Sequence, residues 1–575
     1  MSKIRYEQTI NTSHISHIHD GVNGVRLHYD VDLHSQPKTF DNVRMTKIKI
    51  IGDSGTIDYL EHGCGFTPIV RCLVDGKKVK IHINIDATTG TIAWRSDTYF
   101  TEGSNAHIVV YGMISEYIVD DTVKDYSQYW CGYEWNANDS DPALTRITGE
   151  GMEDYFLRGG GDVLKGMLFE YVALNPVTKE EVVVPIDDPT EYENYRYGQH
   201  GDLFAKMKHQ LYYRVERDGD IRRKKISIYP LEGFTPYHSN DYIVYIGLYE
   251  ASCDNERTKI YSRVTPESEY ETHIGGNKDG RFTEKLFNMP ATDMNTQTFS
   301  NLAHSKGEGY DVMDYMTWLM LCDLFITEYG TRDCQSSVLS LDSNGYSRGG
   351  LGNGCTNVSY WANYNDYNPV VGLGSTDSLG KGSGEVLLKE CVEGTLTPKN
   401  GVYANRFYGI ENPFGHIFKL LTGIHAITKQ AKDESGVYID AFESFNIYVC
   451  DNPEMFFVNK NRDNANENEQ ESIGYLFEGT GATANGWTKD VTFGRFGGLI
   501  GNCVGASNKT YFCDYTYSNY GKGGYFSNLR WSAFGGNSTW NKECGLFAFH
   551  THNTWASKNK YFGTRLCYFA KNTLK

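Results

Sequence analysis

Carboxylates, histidines and clustered aromatic side chains are the groups in this chain whose types and spacing can do chemistry. Glu150, Glu153 and Asp154 lie close together, and two facing carboxylates can serve as the acid and the base or nucleophile of a glycosidase. His14, His17 and His19, followed by Asp20, offer metal donors. Asp377 and Glu385 bracket a Gly-Ser turn and offer oxygens suited to Ca²⁺. Each has a plainer reading: carboxylates of an acidic chain are mostly solvated, and histidine-rich leaders are mostly docking arms. The last set is different in kind. Trp531, Phe534, Asn537, Trp540, Asn541, His550, His552, Asn553 and Trp555 crowd one C-terminal stretch, and Trp361 and Tyr364 stand in an earlier Asn-rich one. Aromatic residues give large rigid contact area at small entropic cost and stack on sugar rings, while Asn, Ser and Gly add adaptable hydrogen bonds. These are the candidate ligand-binding residues, and their chemistry is recognition. Several of the rings are equally suited to a core or a subunit interface. No motif calls for a cofactor.

Composition narrows the classes further. A formal net charge of −17 argues against nucleic acid as a partner, since phosphate backbones call for clustered Lys and Arg. The glycine-rich run around 340–385 has no strand, Gly-loop and Lys-Ser/Thr arrangement, so a phosphate loop is rejected. The 13 cysteines are odd in number and include no C-x-x-C pair, which reads as reduced, half-buried thiols. Residues 1–25 lack the apolar core of a signal peptide, and no apolar run is long enough to span a bilayer, so no membrane insertion is expected.

The elements that must position these residues read as a β-rich α+β protein. Sixty glycines and 42 tyrosines against 14 prolines, with a mean hydropathy of −0.49, suit a loop-rich β protein with a polar surface. Alternating runs from Val25 to Tyr117 predict an antiparallel sandwich or barrel, with residues 1–120 forming a separate attachment domain. The stretch 309–330 predicts a long helix capped by Asp311 and stopped by Gly330, with Met316, Leu319, Met320, Leu324 and Phe325 on its buried face. At 412–423, Asn-Pro followed by Phe414, Ile417, Phe418 and Leu421 at i, i+3, i+4 and i+7 predicts a second helix ending at Gly423. Strands resume after Val437.

Several stretches carry a resemblance. Glu411–Lys419 (E-N-P-F-G-H-I-F-K) resembles the G-x-x-D-M-x-G-N-V-W-E-W signature of the formylglycine-generating-enzyme branch of the C-type lectin fold. Asp141–Ile147 (D-P-A-L-T-R-I), the run 201–214 and Gly563–Cys567 (G-T-R-L-C) resemble, in the same order, segments of its non-enzymatic relatives. Those relatives are the lectin-fold receptor-binding and fibre proteins of bacteriophages, including phages of gut Bacteroidales. In the run 201–214 His209 replaces the family's proline, which leaves the local strand ending open.

The resemblance implies a C-type lectin-like fold with two helices on a twisted, mainly antiparallel sheet, divided into an opening part at 121–300 and a lectin-like domain at 301–575. It also implies a virion protein, a head or tail fibre, that binds a host-surface glycan or protein receptor. Such a protein would contact other virion proteins through its N-terminal domain and assemble as a homo-oligomer, a trimer. The enzymes of that branch bind copper through paired cysteines; here the comparable positions hold Lys542 and Phe547, with Cys544 alone nearby. A lone thiol cannot supply that ligation, so the expectation is a binding protein. An enzyme on this fold, or a glycan-cleaving depolymerase, is the alternative.

Overall fold

The computed structural model describes residues 15–21, 24–29, 43–58, 64–86, 89–114, 126–150, 168–238, 242–254, 256–266, 290–335, 351, 371–389, 402–453, 471–474, 483–491, 503–519, 529–537, 540–551, 553–554, 556–559 and 561–571. The chain divides into two compact units, Met1–Asp125 and Tyr126–Lys571.

The N-terminal unit is built from alternation. In Thr91–Phe100 the side chains of Ile92, Trp94, Ser96 and Phe100 are buried, while most residues between them face solvent. That period of two is what a sheet with one covered face requires. A three-stranded sheet (Gly52–Asp58, Thr91–Phe100, His82–Asp86) and a four-stranded one (Val43–Lys49, Ala106–Ile114, Cys64–Val74, Lys77–Val79) share a core of Ile57, Cys72, Ile92, Trp94, Phe100, Ile108 and Val110. The antiparallel sandwich read from the sequence is what these strands form. A separate hairpin pairs Ile15–Gly21 with Gly24–Tyr29; it carries the backbone of His17 and His19, and His14 lies outside the described residues.

The larger unit is β-rich with few helices. Its six-stranded antiparallel sheet runs in the order Glu181–Val183, Phe169–Leu174, Asp202–Met207, Tyr242–Gly247, Leu566–Lys571, Tyr310–Val312. That order draws strands from both sides of residue 300. The run 201–214 is not one strand: Asp202–Met207 and Tyr212–Asp218 belong to different sheets, and His209 sits in the break.

Besides the single-turn helix Pro189–Tyr192, two longer helices accompany the sheets among the described residues. Helix α1 is Thr296–His304, started by Asn295, whose side chain accepts the Thr298 N–H. Helix α2 is Tyr315–Tyr329, and its cap is Asp314 rather than Asp311: the Asp314 carboxylate accepts the N–H groups of Met316 and Thr317, whereas Asp311 lies in a strand. Gly330 closes α2 at φ 61°, left-handed as the sequence predicts, and its N–H donates to the Ile326 carbonyl. All of α2 is buried, so its polar side chains have internal partners. Tyr133 and Tyr237 donate to Asp323 at 2.6 Å each, Lys224 pairs with the same carboxylate, and Tyr408 donates to Glu328 at 2.9 Å.

The second predicted helix does not exist. Residues 412–417 form a turn in which Asn412, Gly415 and His416 all take positive φ (44°, 78° and 54°), a conformation no right-handed helix contains. Strand β1, Phe418–Lys432, begins in the middle of the stretch expected to be helical. Its first residues are buried on both faces, so apolar residues appear in a near-continuous run instead of alternating. The exception proves the environment: Lys419, fully buried, meets Glu250 at 2.5 Å and donates to the carbonyls of Gly415 and Ile417 at 2.9 and 2.8 Å. Gly423 is not a helix stop. It lies at φ 68° inside β1, where the pairing register shifts between Leu420 and His425.

Strand β1 is central in an eight-stranded sheet. It is flanked by β2 (Tyr438–Val449) on one side. On the other, beyond β1 in spatial order, come Leu529–Gly535, Gly545–His550, Tyr515–Asn519 and, at the edge, Thr483–Trp487. In chain order these are β3 (Thr483–Trp487), β4 (Tyr515–Asn519), β5 (Leu529–Gly535) and β6 (Gly545–His550). One face of this sheet packs on α2 through Phe534, whose ring lies 5.9 Å from Tyr315, 5.3 Å from Trp318 and 5.0 Å from Phe549.

Candidate binding site

The other face of that sheet carries the aromatic side chains. Cross-strand register explains why they meet. Leu420 on β1 faces Ala533 on β5, Ala533 faces His550 on β6, and His550 faces Tyr517 on β4. Residues two apart on a strand share a face, so Phe418, Trp531 and Tyr515 join this set. Tyr515 in turn faces Trp487 across the β3–β4 pair. The result is a continuous row of rings. Tyr517 stacks on His550 (centroids 5.2 Å apart, planes within 7°), Trp531 meets Phe562 edge-on at 4.5 Å, and Trp487 meets Tyr515 edge-on at 5.4 Å.

Trp540 comes from the connection between β5 and β6 and joins the row. Its ring lies 4.9 Å from Phe418, 5.8 Å from Tyr515, 5.9 Å from His550 and 6.4 Å from Tyr517. The connection is tight because of Gly536, at φ 74°: a Cβ there would stand 2.6 Å from Cys544 Sγ and 2.8 Å from its Cα. Cys544 Sγ donates to the Asn537 carbonyl at 2.9 Å, and two successive turns follow, with Trp540 N–H donating to Asn537 O and Glu543 N–H to Trp540 O.

The row grades from core to surface. Phe418 and Trp531 are buried at its inner end, and Trp487, Tyr515, Tyr517, Trp540 and Tyr561 are half-buried at its outer end. Those outer rings are the accessible part of the site. No protein-family model matches this chain, and no curated protein matches it.

The ligand-facing set expected from the sequence therefore divides. Trp540 and Asn553 are half-buried at the site, Asn553 with its amide 3.5 Å from His550 Nδ1. Trp531 and Phe534 are corrections: both have no exposed surface, Trp531 inside the ring row and Phe534 on the opposite face against α2. Asn537 and His550 are also buried, at 3% and 7% exposure, and shape the site from beneath. Trp361, Tyr364, His552 and Trp555 lie outside the described residues, as does the side chain of Asn541. Sequence reasoning missed Trp487, Tyr515 and Tyr517. The signal was present in Tyr515-Thr516-Tyr517, where two tyrosines two apart must share a face.

Of the remaining candidates, Asp377 has partners inside the fold: its carboxylate meets Arg196 at 2.9 Å and Arg406 at 3.2 Å and accepts the Tyr249 hydroxyl at 2.7 Å. Glu411, close by and fully buried, accepts the N–H groups of Gly374 and Thr376 and the Thr376 hydroxyl. Burial first, then the Asp377 charge, push its carboxyl up to about 7 against the pull of Arg406. Glu150 is exposed, and Glu153 and Asp154 lie outside the described residues. Two histidines sit between a hydroxyl and a carboxylate: His238 with Thr317 and Asp314, His304 with Ser300 and Asp311. In both, the same ring nitrogen, Nε2, makes both contacts, whereas a proton relay uses one nitrogen for each partner. The described cysteines are free thiols, all buried except the half-buried Cys503. Among the described residues no three metal-ligating side chains converge, and no helix is long and apolar enough to cross a membrane.

Proposed function

We propose that this chain is a glycan-binding virion protein of a bacteriophage, a head or tail fibre, whose recognition surface is the outer end of the ring row. The observation that carries the binding reading is the half-buried group Trp487, Tyr515, Tyr517 and Trp540, held by the register of β3, β4 and β6 and by the Gly536 turn. Rings fixed by a sheet and open on one side are pre-organised for stacking on a pyranose. The virion reading rests on the ordered resemblance to phage lectin-fold proteins. On that reading Met1–Asp125 attaches the protein to other virion components, and a homotrimer multiplies a weak site by avidity.

The test is adsorption to host-envelope glycans with Tyr515→Ala and Trp540→Ala, scored per folded molecule. Loss of binding on the order of 2 kcal/mol per ring is expected for a hot spot. Unchanged binding in folded variants would remove the ring row from consideration. An N-terminal label found at the distal tip of intact particles would overturn the attachment role, and a stable monomer at submicromolar concentration would overturn the trimer.

A further inference from the structure

The ring row ends beside a carboxylate that no side chain engages among the described residues. Glu543 closes the short 3-10 turn Asn541–Glu543, directly after Trp540. Its side chain is half-buried, and among the described residues no donor or cation reaches its oxygens. Its negative charge acts on Tyr515, whose phenol is raised first by burial and then by Glu543, Cys503 and Tyr517. Burial alone raises the Glu543 carboxyl itself. Elsewhere in this unit sheltered carboxylates are compensated, Asp323 by a lysine and two phenols, Glu250 by Lys419, Asp377 by two arginines. Glu543 departs from that pattern, and it follows Trp540 by one turn at the outer end of the proposed binding surface.

A carboxylate accepts hydrogen bonds and donates none when ionised. Beside an aromatic platform, the group that satisfies it is a pair of hydroxyls on a sugar whose C–H face lies on the rings. A second carboxylate on the ligand would meet it as a like charge in a half-desolvated setting. We infer that the site selects neutral glycans, with Trp540 and Tyr515 stacking on a pyranose and Glu543 accepting its hydroxyl protons, and that it rejects uronic-acid and sialylated glycans. This rests on the glycan-binding reading and adds the class of sugar and the residue that sets it. The group from a neighbouring element on which the Glu543 charge acts is the phenol of Tyr515, and Lys542 is exposed on its own turn. His550 packs on Tyr517 and Trp540 beneath the same surface, and histidine is the side chain whose charge ordinarily changes in this pH interval, so the Glu543 contribution is the part of the pH response that Glu543→Gln removes.

The experiment is a glycan array probed with the full chain at pH 7.5 and pH 5, using matched neutral and acidic glycans, with Glu543→Gln and Glu543→Asp beside the wild type. Only neutral glycans should bind the wild type at pH 7.5, with acidic ones gaining at pH 5. Glu543→Gln should lose about tenfold in affinity for the neutral ligands, the weight of a charge-assisted hydrogen bond, and admit acidic ones at both pH values. Glu543→Asp, which keeps the charge but shortens the reach, should lose affinity and keep the neutral preference. Acidic glycans among the strongest wild-type ligands, or a preference unchanged in Glu543→Gln, would overturn this inference and leave glycan binding standing. Retention of no glycan by the wild type would overturn the glycan-binding reading itself, and this inference with it.

Discussion

Replacing Lys419 by Met tests the account of the turn at 412–417 and of β1 at once. The Lys419 ammonium is fully buried, meets an equally buried Glu250 at 2.5 Å, and spends its remaining donors on the carbonyls of Gly415 and Ile417. A methionine fits the volume but leaves the Glu250 carboxylate uncompensated, and breaking a buried pair from one side costs about 3–5 kcal/mol. The orphaned carboxylate would have its pKa raised above the unfolded value by burial. Its protonated form then favours the native state below the unfolded pKa, and that contribution is lost as pH rises through the folded pKa. Lys419→Met should therefore be less destabilised at pH 5 than at pH 8. In the double variant with Glu250→Gln the deficit should shrink well below the sum of the single ones, and its pH dependence should vanish, because no uncompensated charge is left. The assay is urea unfolding at both pH values, followed by tryptophan fluorescence of the larger unit. A Lys419→Met deficit under about 1 kcal/mol, the size expected of a surface pair, would refute the reasoning and restore a solvent-facing lysine of the kind a surface helix carries.

Phe418→Ala removes a buried ring that touches Trp540, His550 and Phe562, and a loss of about 3–5 kcal/mol in chemical unfolding is expected from the cavity. Gly330→Ala forces a Cβ into a left-handed cap with Arg146 Nε 3.4 Å from it; a loss of about 1 kcal/mol is expected by the same measurement. Glu411→Gln concerns pH. Because burial raises the native carboxyl to about 7, the wild type should lose stability as pH climbs from the unfolded glutamate value, about 4.3, through that pKa, and this part of the stability–pH curve should flatten in the variant.

Helix α2 was legible in the sequence because its signals agree: a long, mainly apolar run, acidic residues ahead of it and a glycine after it. Which aspartate caps it was not, since Asp311 and Asp314 are alike until a strand claims the first. The 412–423 stretch failed for a definite reason. Apolar residues spaced i, i+3, i+4 and i+7 satisfy a helix, but they equally satisfy a turn feeding a strand buried on both sides, and only tertiary packing decides. Asn412 and His416 are types that enter the left-handed region more readily than most, but Asn is equally a helix cap, so their presence does not decide between the two readings. The recognition stretch was found as a region and missed in detail. Trp531 and Trp540 are the same residue type nine positions apart, yet one is sealed in the row and the other half-open, which depends on strand register and on the Gly536 turn. Glu543 could not be singled out at all, because an unpartnered carboxylate is defined by what does not approach it.

The six-stranded sheet has a consequence for how the molecule is made. Leu566–Lys571 lies between Tyr242–Gly247 and Tyr310–Val312 and pairs with both, though the ribosome reaches it long after either. Until then two strands that end as neighbours have nothing between them, each exposing an unsatisfied edge open to foreign pairing. A polypeptide stopped before residue 566 would keep those edges for good. The keystone of this sheet is thus made after both of its neighbours, and a copy terminated before it is marked for aggregation rather than for a merely shortened fold.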